Sequence, residues 1–315
     1  MTSKQKSADG LIACSICRSG VIRVKSYLVC RKGHKFKVER NVPVMARLDA
    51  SLKEEALAWE DEWKRSVSKE ALVAYRKNMS IFKKLGFWEE TGEAAKFIPS
   101  EKDWIVLDLG CGNGVSTANI RGETVVGVDL SPKQLIRAKR KFPDRVFVVG
   151  DATALPFKSN SFDLIVAINL IHHLSDKTSE GLKECHRVLK KGGKILTVDP
   201  NLINPFGFTA REIFKFLNLK RVSPPFPQFA LQADEYQFTK ASYYEMFKKS
   251  PFKNFKIYPH RIERITFFAS ILIPWLAKLP FFETLVRFSS ALGGFIVKLP
   301  FLDRLCYFWK GEAIK

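Results

Sequence analysis

At 315 residues and 46% apolar content, the chain has material for a proper core and room for one large domain or two to three smaller ones. Its 52 basic residues against 32 acidic ones leave a net charge of +20, which implies an anionic partner, either nucleic acid or a membrane surface. Histone-like tails are excluded, because the lysines are interleaved with aliphatics and with many of the 26 phenylalanines.

Residues 1–50 open the chain. Met1–Gly10 is polar and has no apolar h-region, so no secretory signal is expected there. Cys14-Ser-Ile-Cys17 is followed after twelve residues by Cys30-Arg-Lys-Gly-His34. Three thiolates and an imidazole at these spacings suit structural Zn2+ with Cys14, Cys17, Cys30 and His34 as ligands and no position left open for catalysis. Val21–Val24 and Tyr27–Val29 read as a short hairpin between the two knuckles. So small a unit buries little core, and the metal would supply the missing stability. Six cysteines used in this way favour metal binding over disulfides and a cytoplasmic protein, with a peripheral position on the cytoplasmic face of the membrane as a further expectation.

Residues 51–100 read as a helical cap or linker. Leu52, Ala56, Trp59 and Trp63 fall on one helix face, Ser51 with Glu54 makes a capping box, and Gly86 and Gly92 punctuate two or three helices.

Residues 101–260 alternate strand and helix. Ile105–Leu109 is an apolar run carrying Asp108, and glycines follow at positions 110, 112 and 114. A buried parallel strand breaking into a glycine turn and a helix is a ligand-binding device, in which the helix N-terminus favours a carboxylate or phosphate. Val125–Asp129 is a second strand ending in an acid 19 positions after Gly110, a spacing suited to a carboxylate on ribose hydroxyls. Ser131-Pro132 caps a helix through Gln134–Lys141. Val146–Val149 leads into Gly150-Asp151-Ala152, Ala154–Phe157 turns, and Leu164–Ile168 is the fourth strand. Thr178–Lys190 is predicted helical, closed by Lys191-Gly192-Gly193, and Ile195–Val198 is the fifth strand, ending at Asp199-Pro200-Asn201. This rhythm implies an α/β, doubly wound, mostly parallel sheet with ligands beyond the strands' carboxyl ends. A nicotinamide dehydrogenase is the rival reading of the glycines. The acid inside the first strand and the Gly-Asp-Ala after the third weigh against it.

Over residues 104–200 these four ordered motifs resemble the class I S-adenosylmethionine-dependent methyltransferases, in particular the ubiquinone/menaquinone-methyltransferase-like type. The resemblance implies a seven-stranded Rossmann-like sheet and the cofactor S-adenosyl-L-methionine. By it, Asp108, Gly110, Cys111, Gly112, Asn113 and Gly114 line the methionine and ribose, Asp129 with Leu130 holds the ribose diol, Asp151 and Ala152 meet the adenine, and Asn169 and Leu170 lie near the methyl group. A methyl on a sulfonium is already activated, so a general base is needed only for a hydroxyl or acidic carbon. His172 and His173 are the catalytic candidates for that proton, with Asp199 and Asn201 behind them. The Asn-Pro-Pro-Tyr/Phe motif of enzymes methylating base amines is missing, since the segment reads Ile168-Asn169-Leu170-Ile171. The N-terminal ribbon, with Asn41-Val42-Pro43-Val44-Met45, resembles those of the Trm112-like group and of the bacterial 23S rRNA guanine-N1 methyltransferases.

In the C-terminal part, Phe252–Tyr258 reads as the sixth strand and, within residues 304–315, Leu305–Trp309 as an antiparallel seventh. Between them, residues 261–303 form an apolar helical insertion, with runs at Ile265–Leu279 and Leu285–Val297 too short to span a bilayer. Arg261, Arg264, Lys278, Arg287, Lys298, Arg304 and Lys310 flank these runs, as in helices lying in an anionic membrane interface. A homodimer interface or a cap over a greasy pocket is the alternative. The expected function is methyl transfer (O- or C-) to a small, lipid-like or lipid-linked acceptor at the membrane surface. The alternative is an rRNA or tRNA methyltransferase that docks RNA through the ribbon and the basic surface.

Overall fold

The computed structural model describes residues 8–46, 98, 101–201 and 238–260, two short strands at 221–222 and 231–232, and in the last part residues 280, 281, 284, 288, 292, 295, 299, 303, 306 and 308–315. The helical cap expected over residues 51–100, apart from Ile98, and the Ile265–Leu279 run lie outside the described residues.

The N-terminal unit is a four-stranded antiparallel sheet in the order β1 (Val21–Val24), β2 (Tyr27–Cys30), β3 (Lys35–Glu39), β4 (Val42–Pro43). Its inner face, with Leu28, Cys30 and Phe36 buried, packs into the same core cluster as Leu155, Phe157 and Phe162. The unit is therefore built onto the main domain. Val44 forms a parallel bridge with Val149, whose carbonyl also accepts from the N–H groups of Met45 (2.9 Å) and Ala46 (3.2 Å). The ribbon thus covers what would otherwise be an open sheet edge.

The main sheet has seven strands. β5 (Ile105–Leu109) is central, with β6 (Thr124–Asp129) and β7 (Val146–Val149) on one side and β8 (Phe162–Ile168) and β9 (Leu189–Pro200) on the other, all parallel. β13 (Phe308–Ile314) runs antiparallel between β9 and the edge strand β12 (Asn254–His260). The β5–β8 strands are apolar nearly throughout because both faces are covered, whereas β12 alternates exposed and half-buried residues, as suits an edge. Pro259 is tolerated on that edge, where one row of N–H groups has no ladder to serve. Two short strands, β10 (Arg221–Val222) and β11 (Leu231–Gln232), pair separately.

The helices that accompany the sheet include α1 (Val115–Asn119), α2 (Pro132–Lys141), α3 (Thr178–Val188) and α4 (Lys240–Lys248). α2 starts as the sequence requires, with Ser131 Oγ accepting from Gln134 N and proline in the first turn. α3 ends at Val188, short of the expected Lys190, and β9 begins at once. The Lys191-Gly192-Gly193 stretch is thus sheet and not a helix cap. Leu189 pairs with Phe162, and a side chain on Gly193 would meet the carbonyls of Lys190 and Asp163 at 2.9 and 3.1 Å. Backbone pairing across the sheet outweighs the local glycine signal. The last two strands lie two to three residues beyond their predicted starts, because β13 keys Trp309 opposite Asp199 and buries that indole completely.

Candidate functional site

The C-terminal ends of β5, β6, β7 and β8 surround a cavity of about 420 Å3 lined by Gly110, Gly112, Asp129, Leu130, Gln134, Gly150–Thr153, Asn169, Leu170 and His173–Lys177, together with Leu109 and Val128. The volume lies in the range of sites for small organic ligands. After β5 the backbone enters the left-handed region at alternate residues, Gly110 (φ 73°), Gly112 (49°) and Gly114 (77°). A side chain at Gly110 would meet Leu170 at 2.9 Å, and one at Gly114 would meet Ala138 and Phe147 at 2.8 Å. Glycine is thus needed there for conformation and for space.

Asp129 ends β6 at the cavity wall. Its Oδ2 accepts from Gly112 N at 2.8 Å and its Oδ1 from Ser131 N at 2.9 Å, so both oxygens are oriented by backbone, and the residue lines the cavity. Burial raises this carboxyl above the ordinary aspartate value, opposed by the hydrogen bonds from Ser131 and Gly112. In the next loop Asp151 Oδ1 accepts from the N and Oγ1 of Thr153, both at 2.8 Å. Asn169, with φ 53°, turns the chain sharply after β8, a conformation asparagine tolerates better than most residues.

Asp108 does not line the cavity. It is buried behind the glycine loop, where its Oδ2 accepts from Ser116 Oγ and Thr117 Oγ1, both at 2.6 Å, so the acid inside the first strand braces the loop against α1. Cys111, Asn113 and Gly114 are likewise outside the lining, and α1 is a single short turn too small to act as a helix dipole. Gly112 N–H is already engaged by Asp129, which leaves the anion role expected for this helix start to other groups.

His172 and His173 diverge. His172 is buried, and its Nδ1 lies 2.9 Å from Asp199 Oδ1. Asp199 also accepts from Tyr243 OH at 3.1 Å, and that hydroxyl lies 2.6 Å from Thr197 Oγ1. This polar knot ties β9 to α4 and fixes the loop after β8. His173 faces the cavity with its ring centroid 3.8 Å from that of His172. Burial, and secondarily His172, pushes it down to about 2, so it is a neutral imidazole at physiological pH and a feeble base. Asn201 serves packing, donating to Cys306 O (2.7 Å) and accepting from Trp309 Nε1 (3.0 Å).

The second site is the cysteine cluster. Cys14 Sγ and Cys30 Sγ lie 3.4 and 3.3 Å from His34 Nδ1, and Cys17 Sγ lies 3.7 Å from Cys30 Sγ. All four ligand atoms fall within 4.8 Å of one another. Tetrahedral zinc with bonds of about 2.0–2.3 Å places its ligands roughly 3.5–3.8 Å apart, and the cluster fits that shape. Ser19 Oγ, 3.1 Å from Cys17 Sγ, lowers that thiol to about 6, which favours the thiolate a metal requires.

Residues 107–197 match the family described as the methyltransferase domain. Two curated relatives illustrate the similarity. A demethylmenaquinone methyltransferase of Chlorobaculum tepidum is 37% identical over 34% of this chain and 46% of its own length. An uncharacterized methyltransferase of Synechocystis sp. is 36% identical over 41% of this chain and 61% of its own. The chain therefore spans about half the length of the curated relatives it matches. Among solved structures, a phosphoethanolamine N-methyltransferase 2 of Haemonchus contortus is 22% identical, with 75% of this chain and 56% of that one covered and a TM-score of 0.47.

Within the matched stretch the cavity uses residues that the motifs do not mark: Gln134 in the first turn of α2, Thr153, and the Leu174–Lys177 turn. Thr153 had a legible signal, since Asp-x-Thr forms a local side-chain turn. The Leu174–Lys177 turn had none. Asp108 supplies a pH test of the domain's stability. Burial raises its carboxyl to about 6, some 2 units above an unfolded aspartate. Between about pH 4 and 6 the folded chain holds a proton that the unfolded chain has released, so Asp108's contribution is full below that window and is lost as pH rises through it. Stability should fall by on the order of 2–3 kcal/mol across the window from this group, and Asp108→Asn should flatten the slope in urea unfolding. Equal slopes in the two proteins would show that the burial cost is carried elsewhere.

Proposed function

We propose that the protein is an S-adenosylmethionine-dependent methyltransferase whose acceptor is a small, lipid-like molecule, and that a structural zinc ion occupies the Cys14-Cys17-Cys30-His34 cluster. The observation that carries the donor reading is Asp129, a carboxylate held by two backbone N–H groups at the rim of a cavity under a glycine loop. Its free lone pairs suit a ribose diol, while Asp151 and Ala152 flank the space for the adenine and Asn169 and Leu170 the space for the methyl end. The bound cofactor supplies a sulfonium-activated methyl. The protein's part is to align the acceptor in line with it and exclude water. His173, neutral in the cavity, suits a hydrogen bond to the acceptor better than removal of a proton from it.

The lipid-like acceptor and membrane surface rest on the C-terminal part. Phe288, Leu292 and Phe295 have helical backbone at spacings of four and three, one face of a helix, and are 65%, 45% and 60% exposed. Phe281 and Leu299 are exposed as well, and Arg287, Lys298 and Arg304 accompany them in sequence. An apolar helix face edged with cations suits the interface of an anionic bilayer. No helix among the described residues is long and apolar enough to cross a membrane. One observation favours RNA as a second reading. The outward face of the ribbon carries exposed Tyr27 beside Lys37, with Lys35 two residues along, a ring and cations of the kind that hold single strands.

Incubation of the protein with methyl-labelled donor and separated membrane-lipid and RNA fractions tests both. Label in the lipid fraction, dependent on anionic lipid, is expected. Label in RNA would transfer the assignment to the second reading, and label in neither would remove the acceptor class proposed here.

A further inference from the structure

The loop that forms one wall of the donor cavity is held by the ribbon. Gly150–Thr153 line the cavity, and the return half of the same loop, residues 155–158, reaches the cysteine cluster by hydrogen bonds. Ala13 N donates to Pro156 O at 3.0 Å, and Ala13 immediately precedes the ligand Cys14. Arg18 immediately follows the ligand Cys17, and its Nη1 donates to Leu155 O at 2.6 Å while its Nη2 lies 3.1 Å from Glu184 Oε2. Ile12 bridges Phe157, and Lys158 N donates to Leu11 O at 2.9 Å. At the loop's other end Val149 O receives Met45 and Ala46, the residues that follow β4. The main domain contributes Arg187 on α3, which donates to Phe157 O and Leu155 O at 2.7 and 2.9 Å, a hydrogen bond from Gly150 N to Asp129 O at 3.1 Å, and the burial of Leu155 and Phe157 in its core.

A loop pinned at both ends by one small unit owes part of its order to the folding of that unit. The unit's own fold depends on a cluster whose four ligand atoms must be drawn together. Arg18 sits with φ 62°, a left-handed conformation set by the Cys14–Cys17 knuckle, in which Arg18 N donates to Cys14 O at 2.8 Å. The direction of its guanidinium toward Leu155 is therefore a consequence of the knuckle's geometry.

We infer that metal occupancy of the cysteine cluster sets the affinity of the donor cavity, with Ala13 and Arg18 as the positioning residues that transmit it to the Leu155–Phe157 half of the cavity loop. This rests on the cavity being the donor site. By linkage the effect is reciprocal, so donor binding should also tighten metal binding.

The test is calorimetric titration of S-adenosylhomocysteine into the full zinc-loaded chain, into the chain stripped with chelator, and into zinc-loaded Arg18→Ala and Arg18→Lys. Stripping is expected to weaken binding by about 10-fold or more, within the usual range of coupling between sites. Arg18→Ala is expected to weaken it several-fold at unchanged zinc content, with partial rescue by Arg18→Lys, which keeps a cation for Leu155 O and Glu184. Zinc release to a competing chromophoric chelator, read at equilibrium, should be less complete with S-adenosylhomocysteine present. Arg18→Ala keeps all four ligands, so it reads the coupling even where the stripped chain unfolds. Equal affinity in wild type and Arg18→Ala, with zinc release indifferent to the ligand, overturns the coupling. Absence of heat from the loaded wild type would instead overturn the donor site itself.

Discussion

Asp129→Ala is expected to weaken binding of S-adenosylhomocysteine by about 100-fold or more, with the fold retained. Two hydrogen bonds from a diol to an ionised carboxylate contribute roughly 1.5–3 kcal/mol each, and a loss of about 2.7 kcal/mol is a factor of 100. The same substitution leaves Gly112 N and Ser131 N without their partner, which loosens the glycine loop and adds to the effect. Asp129→Asn separates these contributions. Its amide fills the space and keeps one acceptor, but its NH2 must face either a backbone N–H or the ligand, so an intermediate loss is expected. Because burial raises the Asp129 carboxyl, binding should also weaken as pH falls into the range where that group takes up a proton, at a higher pH than for an exposed aspartate. Calorimetry of the three proteins between pH 5 and 8, with melting curves to exclude unfolding, reads all of this. An Asp129→Ala protein that melts like wild type and binds as tightly would move the ribose elsewhere in the cavity.

The rim of the cavity was legible because its geometry is local. Gly110, Asp129, Asp151 and Asn169 each stand at the end of an apolar run, and a parallel strand has only one place to put the residue that follows it. Asp108 shows the limit of that reasoning. Its position within the strand marks it as unusual, but whether it faces ligand or loop depends on Ser116 and Thr117, which belong to α1 and meet it only after the turn has closed. His172 and His173 are adjacent in sequence and part company for the same reason. Asp199, on the next strand over, captures one ring and leaves the other to the cavity. The Gly192-Gly193 pair misled because a glycine after basic residues signals a helix end, whereas here the pairing of Leu189 with Phe162 had already ended α3. The ligand spacing of the ribbon was plain from the sequence. Its docking on the 155–158 loop was not, since single backbone carbonyls carry no signature.

Stripping the metal, or replacing one ligand as in Cys30→Ser, is expected to melt the ribbon while leaving the main sheet folded. Its sheet holds only 15 residues in four short strands, and the outward side chains of β1 are only partly covered, with Ile22 69% and Val24 46% exposed. The inner face does bury Leu28 and Phe36 against the larger core, so docking offsets part of the loss. Structural zinc in isolated finger peptides contributes about 10–16 kcal/mol of apparent folding free energy, several times the roughly 1.5–3 kcal/mol that any one buried side chain such as Leu28 or Phe36 returns. Hydrogen exchange followed by mass spectrometry resolves the two units. In the stripped chain the amides of Cys30 and Val38, which bond to His34 O and Ser26 O across the ribbon, should exchange as in an unfolded peptide. Those of β5, β6 and β8 should keep most of their protection, because their ladders lie between covered faces. Val149 and the 155–158 loop should fall between these extremes, since they lose the ribbon's contacts and keep those of Arg187 and of β6. Full protection of Cys30 and Val38 without metal would mean that apolar docking alone holds the ribbon, and the cluster would then need another purpose than stability.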